Sequence, residues 1–231
     1  MRSFYIDIEL NENTIVNLPE DESKHISKVL RLKNGDFIEI FNGNLKSAKA
    51  EIIDNHHKKC KVQLIEIFKH VKDEYHIHIA IAPTKSNDRF EFFLEKATEL
   101  GIHEVTPLLT ENSERKVIKI DRFERIIISA LKQSKRYHKP KLNELTTFEE
   151  FIFKHPNGLI SHCYDKAKTT ISKKEAQLNV PILIGPEGDF SISEINKALN
   201  SGYHAVDLGK TRLRTETAAI YATSILKYLN E

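Results

Sequence analysis

Apolar and polar positions fall into two patterns along the chain. Up to about residue 70 the apolar residues come in short alternating runs, as half-buried strands require: Arg2 to Glu9, Thr14 to Leu18, FIEIF from Phe37, Lys46 to Asp54 and Cys60 to Phe68. One helix interrupts them. PEDESKHISKVLRLKNGD puts acids in its first turn, Ile26, Val29 and Leu30 on one face, Arg31 and Lys33 at its end and Gly35 at its stop. That order complements the helix dipole. Asn42, Gly43 and Asn44 supply a hairpin turn. Five or so short strands closed over a helix predict a small β-barrel, a form often used to hold RNA.

Near His70 to Glu74 the pattern changes to strands alternating with long helices, which predicts a first domain at 1–72 and an α/β domain at 73–231. Tyr75 to Ala82 reads as a strand. Ser86 or Asn87 caps a helix with Phe90, Phe93, Leu94, Ala97 and Leu100 inward and Gly101 as its stop. Val105 to Leu109 is the next strand, followed by a helix from Asp121 to about Lys135 with Phe123, Ile126, Ile127, Ala130 and Leu131 inward. With Leu159 to Cys163 and two further runs, the domain is expected to hold five or six mostly parallel strands.

Those two runs lie in VPILIGPEGDFSISEINKALNSGYHAVDLGKTRLRTETAAIYA, two consecutive strand, glycine turn and helix units. Val180 to Ile184 is a continuous apolar run, as in a strand buried on both faces, and it breaks at Gly185, Pro186 and Gly188. Ser191 and Glu194 form a capping box for the helix that follows. His204 to Leu208 is the second strand, Gly209 its break, and Thr215 to Leu229 a helix with Ala218, Ala222, Ile225 and Leu229 on one face. In open α/β sheets ligands lie beyond the carboxyl ends of the strands, so two such turns in succession predict one pocket. Neither turn has the spacing of GxGxxG or GxxxxGK[ST], which disfavours a dinucleotide or a nucleoside triphosphate.

Composition adds limits. The 231 residues are 40% hydrophobic, enough for real cores, and no run approaches the roughly 18 apolar residues of a membrane span. A cytoplasmic setting is expected by default. Cys60 and Cys163 lie far apart without metal-ligand spacing, and no metal is expected. A net charge of +2 is too small to announce a nucleic-acid partner, but its distribution is uneven. Arg115 to Lys141 holds ten Lys or Arg against two acids, an electrostatic footprint for phosphate backbone. KQSKRYHKPK adds Tyr137, suited to stacking on an unpaired base.

LIGPEGDFSISE followed by DLGKTRLRTETA resembles the paired signatures of the RsmE family, S-adenosylmethionine-dependent methyltransferases that modify uridine at N3 in 16S ribosomal RNA. HISKVLRLKNGD, Lys96 to Gly101 with Pro107, and KQSKRYHKP are similar to the family's other landmarks, in order. The resemblance implies a SPOUT-type knotted α/β methyltransferase domain, its C-terminal segment threading a trefoil knot, behind a small N-terminal PUA-like β-barrel. It also implies a homodimer, and 16S rRNA or the small ribosomal subunit as partner.

Methyl transfer to N3 requires loss of an imide proton, so the site needs a base or a cation that stabilises the uridinate anion. Arg214 is the candidate cation, with Arg212 behind it. Glu187 and Glu216 are the candidate proton acceptors, and the position of Glu216 at a helix start also suits a dipole partner or an arginine orienter. The resemblance places the methyl donor on Ile184, Gly185, Pro186, Glu187 and Gly188 of the first motif, and on Leu208, Gly209, Leu213, Thr215 and Ala218 of the second. RNA contacts are expected at His25 and Arg31, at Arg115, and at Lys132, Gln133, Lys135 and Arg136. The chain departs from the family pattern at Asp189, where a second glycine is commoner, at Thr211, where an arginine is usual, and in TENSERK, where Arg115 stands in for an arginine before serine. A ribose 2′-oxygen methyltransferase of the same superfamily and a non-catalytic RNA-binding protein are the alternatives.

Overall fold

A computed structural model describes residues 1–165, 167–177 and 179–231. The chain forms two compact units, Met1–Lys72 with Leu131–Lys139, and Asp73–Ala130 with Pro140–Glu231. The short segment 131–139 thus clusters with the first unit, although it lies within the sequence range expected for the second domain.

The first unit is a five-stranded sheet of β1 (Ser3–Tyr5), β2 (Ile15–Asn17), β3 (Phe37–Phe41), β4 (Lys46–Asp54) and β5 (Lys61–Lys69), in the order β1-β3-β4-β5-β2. Only the β1–β3 pairing is parallel. Register breaks at Lys49/Ala50 and Ile52/Asp54 let the long β4–β5 ribbon bend. Phe4, Ile38, Ile40, Ala50, Ile52, Val62 and Leu64 make the core, with Ile26 from the intervening helix.

That helix is not uniform. α1 (Glu20–Lys24) runs into a π-helical turn, His25–Val29, in which Leu30 N donates to His25 O at 2.9 Å. The wider turn shifts the phase of the side chains, so Val29, expected on the inner face, is 69% exposed. Arg31 ends the turn with φ +54°.

Residues 131–139 are fastened to this unit by specific contacts. Tyr137 stacks flat on His70, ring centroids 3.6 Å apart at 7°, and its hydroxyl donates to Glu39 at 2.7 Å. Lys132 Nζ lies 2.6 Å from Glu22 Oε1 and 5.7 Å from the Phe4 ring centre. Of the ring expected to stack on a base, one face is thus covered by His70.

The second unit is an eight-stranded sheet carrying β6 (His78–Ile81), β7 (Glu104–Leu109), β8 (Lys141–Leu142), β9 (Thr146–Thr147), β10 (Gly158–Ser161), β11 (Thr169–Thr170), β12 (Ile182–Ile184) and β13 (Tyr203–Asp207). The order is β11-β13-β10-β12-β6-β7-β8, with β9 also on β7, and every pairing among the described residues is parallel. Three of these strands have two residues each, too short to leave a hydrophobic pattern, which is why five or six were expected.

The helices of this unit are α2 (Asn87–Leu100), α3 (Ile120–Ser134, its last turn counted with the first unit), α4 (Phe148–Lys154), α5 (Lys173–Ala176), α6 (Ile192–Asn200) and α7 (Thr215–Asn230). α2 and α7 pack on each other, and α7 also packs on β6 and β12. The buried line of α7 runs through Glu216, Ala219, Ala222, Thr223 and Leu226. Ala218, Ile225 and Leu229, expected inward with Ala222, are only partly buried, because the helix is apolar on more than one side and the pattern does not fix its rotation.

A polar cluster closes the amino ends of β6 and β7. Glu104 accepts from His76 at 3.1 Å, Asn143 at 2.7 Å and Lys141 at 3.1 Å, and these partners hold its carboxyl well below the usual carboxylate range. Beside it, burial lowers the His78 imidazole to about 4 despite the nearby Glu104 charge, and its Nε2 bonds Thr106 Oγ1 at 2.8 Å. No helix is long and apolar enough to cross a membrane among the described residues.

Candidate functional site

Three parallel strands of the second unit end side by side. β10 lies between β12 and β13, so the chain leaving β10 at Ser161 is flanked by the turn after β12 and the turn after β13. Both turns reach one cleft on either side of this third strand end, the first through Gly185 and Gly188 and the second through residues 212–214, while Gly209 itself lines a second hollow. A cleft of about 660 Å³ opens there, walled by 161–164, 184–189 and 212–215 with Arg89 and Ala218. A second hollow of about 290 Å³ shares residues 161–163, Arg212, Leu213 and Ala218, and reaches Lys168 and residues 207–211.

Close contacts and hydrogen bonds hold the first turn. Gly185 brings the backbone against Phe190, where a Cβ would stand 3.1 Å from the buried ring. Asp189 N donates to Pro186 O at 2.9 Å and Asp189 itself takes φ +63°. The expected capping box is present: Glu194 N donates to Ser191 Oγ at 3.2 Å and Ser191 N to Glu194 Oε2 at 2.8 Å. Glu194 Oε1 also accepts from Glu111 N at 2.8 Å, and Asn112 Nδ2 donates to the carbonyls of Gly188 and Asp189 at 3.3 and 3.0 Å. The loop after β7 thereby holds the turn from outside.

In the second turn Gly209 has φ +117°, and the space a side chain would take is open. Its amide donates to Asp207 Oδ1 at 3.0 Å. The chain then reaches Arg214, the N-cap of α7, whose carbonyl accepts from Ala218 N at 2.8 Å. Arg214 and Arg212 are both exposed on the cleft wall.

Of the residues expected to hold a donor, Ile184, Gly185, Pro186, Glu187, Gly188, Leu213, Thr215 and Ala218 line the larger cleft, and Leu208 and Gly209 the smaller. The two candidate carboxylates have partners already. Glu187 Oε1 accepts from Lys85 N at 3.2 Å. Glu216 is buried in the first turn of α7, with Arg89 Nε 3.9 Å from its Oε1. Arg115 is likewise engaged, its Nε donating to Thr84 O at 3.0 Å and its guanidinium also to Lys85 O.

The other expected RNA contacts lie in the first unit. Arg31, Gln133 and Lys135 are exposed; His25 is half-buried beside Phe4 and Glu22; Lys132 is paired with Glu22; Arg136 is half-buried. Arg89 and the wall 161–164 were missed from sequence. The strand ending near Cys163 was visible, but its place between the two turns depends on strand order, which no local pattern carries. Among the described residues no cluster of three or more His, Cys, Asp and Glu is arranged to hold a metal ion.

Comparison with known proteins agrees with this architecture. Residues 71–227 match the model of an RNA methyltransferase domain and residues 18–65 that of an RNA methyltransferase PUA domain. The ribosomal RNA small subunit methyltransferase E of Buchnera aphidicola subsp. Acyrthosiphon pisum is 33% identical, covering 96% of this chain and 91% of its own. A probable rRNA-methyltransferase from Porphyromonas gingivalis superposes with a TM-score of 0.90 at 36% identity, over 100% of this chain and 98% of that one. A ribosomal RNA small subunit methyltransferase E from Neisseria gonorrhoeae, solved bound to S-adenosyl methionine, superposes with a TM-score of 0.86 at 28% identity, over 99% and 98%. The fold is the SPOUT-type α/β fold preceded by a PUA-like domain, and the chain belongs to the RNA methyltransferase family of the ribosomal RNA small subunit methyltransferases E.

Proposed function

We propose that this protein is a cytoplasmic enzyme that transfers a methyl group from S-adenosylmethionine to N3 of one uridine in 16S rRNA. The observation that carries the reading is the cleft at the joint end of β10, β12 and β13. Its volume, about 660 Å³, falls in the range of small-molecule sites. The cleft and the smaller hollow that shares its wall fit the donor together: Ile184, Leu213 and Ala218 of the cleft offer apolar surface to an adenine, and in the hollow Leu208 and the open side of Gly209 let backbone approach a ribose or amino-acid end.

When bound, S-adenosylmethionine supplies a methyl group made electrophilic by its sulfonium. The chain's own work is alignment and charge. Arg214 sits at the N-cap of α7 with its side chain exposed on the cleft, next to the helix's positive end, where it favours the ionised imide of the target base, the imide proton passing to solvent before the methyl group arrives. Glu216 balances Arg89 inside the fold, and Glu187 ties the first turn to Lys85, so both carboxylates serve the geometry of the site. Domain 1–72 grips RNA, helped by Arg31 and by the basic segment that includes Gln133, Lys135 and Arg136. Domain 73–231 threads its C-terminal segment into a trefoil knot. Support for the threading comes from the path: after β13, beyond β10, the chain returns to pack α7 on β6 and β12.

The enzyme is a homodimer in this reading. Ala219 and Ala222 are used within the chain, which leaves the exposed side of α7, with Tyr221 and Tyr228, for the second copy. A monomer mass in sedimentation would remove that part. Nucleoside mass spectrometry of ribosomal RNA from a deletion strain tests the reaction. Loss of N3-methyluridine is expected; its persistence, or loss of a ribose methylation instead, contradicts it.

A further inference from the structure

The carboxylate of Asp189 joins two strand ends. Its Oδ2 accepts from Cys163 N at 2.7 Å, across 26 positions of sequence, while its Oδ1 accepts from Phe190 N at 2.8 Å. Asp189 belongs to the turn after β12; Cys163 belongs to the segment after β10 that walls both hollows. Past Ser161, where the β10–β12 ladder ends, this side-chain hydrogen bond ties the segment leaving β10 to the turn after β12. The backbone conformation that permits it, φ +63°, is one that an L-residue adopts at a cost, and aspartate tolerates it better than most. Turn conformation, carboxylate and bonded amide act as one clamp.

We propose that Asp189 is a positioning residue for the methyl donor: by holding the Cys163 amide it fixes the 162–164 wall of the cleft in the form that accepts S-adenosylmethionine. The inference rests on the donor reading above. It gives a function to the outer carboxylate oxygen, Oδ2, which the turn's own hydrogen bonding does not use and which its left-handed φ, open to glycine without strain, does not require. A clamp acting through the wall and a carboxylate acting directly on the sulfonium differ in outcome. The first weakens the charged donor and its neutral product alike, whereas the second weakens only the donor.

Two variants separate the contributions. Asp189→Asn keeps size and left-handed tolerance but sets an amide NH₂ or a single oxygen where two acceptors stood. Asp189→Gly removes both acceptors and the backbone strain together, so its thermal midpoint should stay within a few degrees of wild type. In Asp189→Gly, which leaves the Cys163 amide without its acceptor, calorimetry should show the Kd for S-adenosylmethionine and for S-adenosylhomocysteine rising together by about tenfold, and in Asp189→Asn, whose one oxygen can still accept from that amide, by less. The KM for the donor should rise with kcat nearly unchanged, and hydrogen exchange at the Cys163 amide should accelerate. In Asp189→Gly, unchanged Cys163 exchange, donor Kd values within twofold of wild type, or a loss confined to S-adenosylmethionine would each overturn the proposal. A wild-type protein that binds no donor would sink the donor reading and this one with it; a binding wild type with indifferent variants sinks this one alone.

Discussion

Arg89 Nε, on α2, stands 3.9 Å from Glu216 Oε1 in the first turn of α7, and only 9% of the Glu216 side chain is exposed against 41% of Arg89. The contact joins the two packed helices at the mouth of the cleft, one residue pair behind Arg214. A carboxylate there is stabilised by the helix start as well as by the arginine. Glu216→Gln should lower stability by about 1 kcal/mol and turnover by less than tenfold. Loss of a general base costs about 10²–10⁴ in rate. A deficit of that size, measured with saturating RNA and donor, would return Glu216 to the proton-acceptor role.

Arg214 is expected to act in the transition state. Arg214→Ala should reduce kcat by about 10²–10³ while leaving donor affinity within about twofold, since the interaction it loses develops with the anion. Single-turnover rates together with calorimetry check both halves. Equal losses in binding and rate would make Arg214 a ground-state contact.

The polar cluster at the amino ends of β6 and β7 sets the acid limit of stability. His78 titrates near 4 in the fold against 6.5 in the unfolded chain, so the unfolded state binds more protons between those values. Its contribution is fully present above about pH 6.5 and is lost as the pH falls towards 4, on the order of 3 kcal/mol in all. The lowered carboxyl of Glu104 acts in the same direction at still lower pH. Urea denaturation from pH 7 to 4 should show the decline, and His78→Gln should flatten its upper part. A stability that does not change over this range would contradict the burial argument.

Two lysines of the basic segment should behave differently. Lys135 is exposed, whereas Lys132 is held by Glu22 and lies over Phe4. Lys135→Ala should weaken binding to a 16S rRNA fragment at every sequence and reduce the log–log salt slope by about 1. Lys132→Ala should instead lower stability by about 1 kcal/mol, with little change in that slope. Fluorescence anisotropy across a salt series distinguishes them.

Local signals in the chain were sufficient where the structure is local. The Ser191–Glu194 box needs only three residues of spacing, and both oxygen partners are found where it places them. Gly101, Gly185 and Gly209 likewise mark the ends they were expected to mark. What escaped depends on residues distant in sequence. Lys132 finds Glu22 across 110 positions, Tyr137 finds His70, and Ser161 to Tyr164 become a wall of the site only because β10 falls between β12 and β13. The π-turn at His25–Val29 escaped for another reason: its apolar residues fit an α-helix equally well, and one inserted residue rotates Val29 outward.

Soaking crystals with S-adenosylmethionine tests the central claim most directly. The account places the donor between Gly185 and Gly209, with its methyl group directed towards Arg214 and the Cys163 amide still on Asp189. Density for the donor elsewhere on the chain, or turns that stay closed against it at saturating concentration, would contradict it.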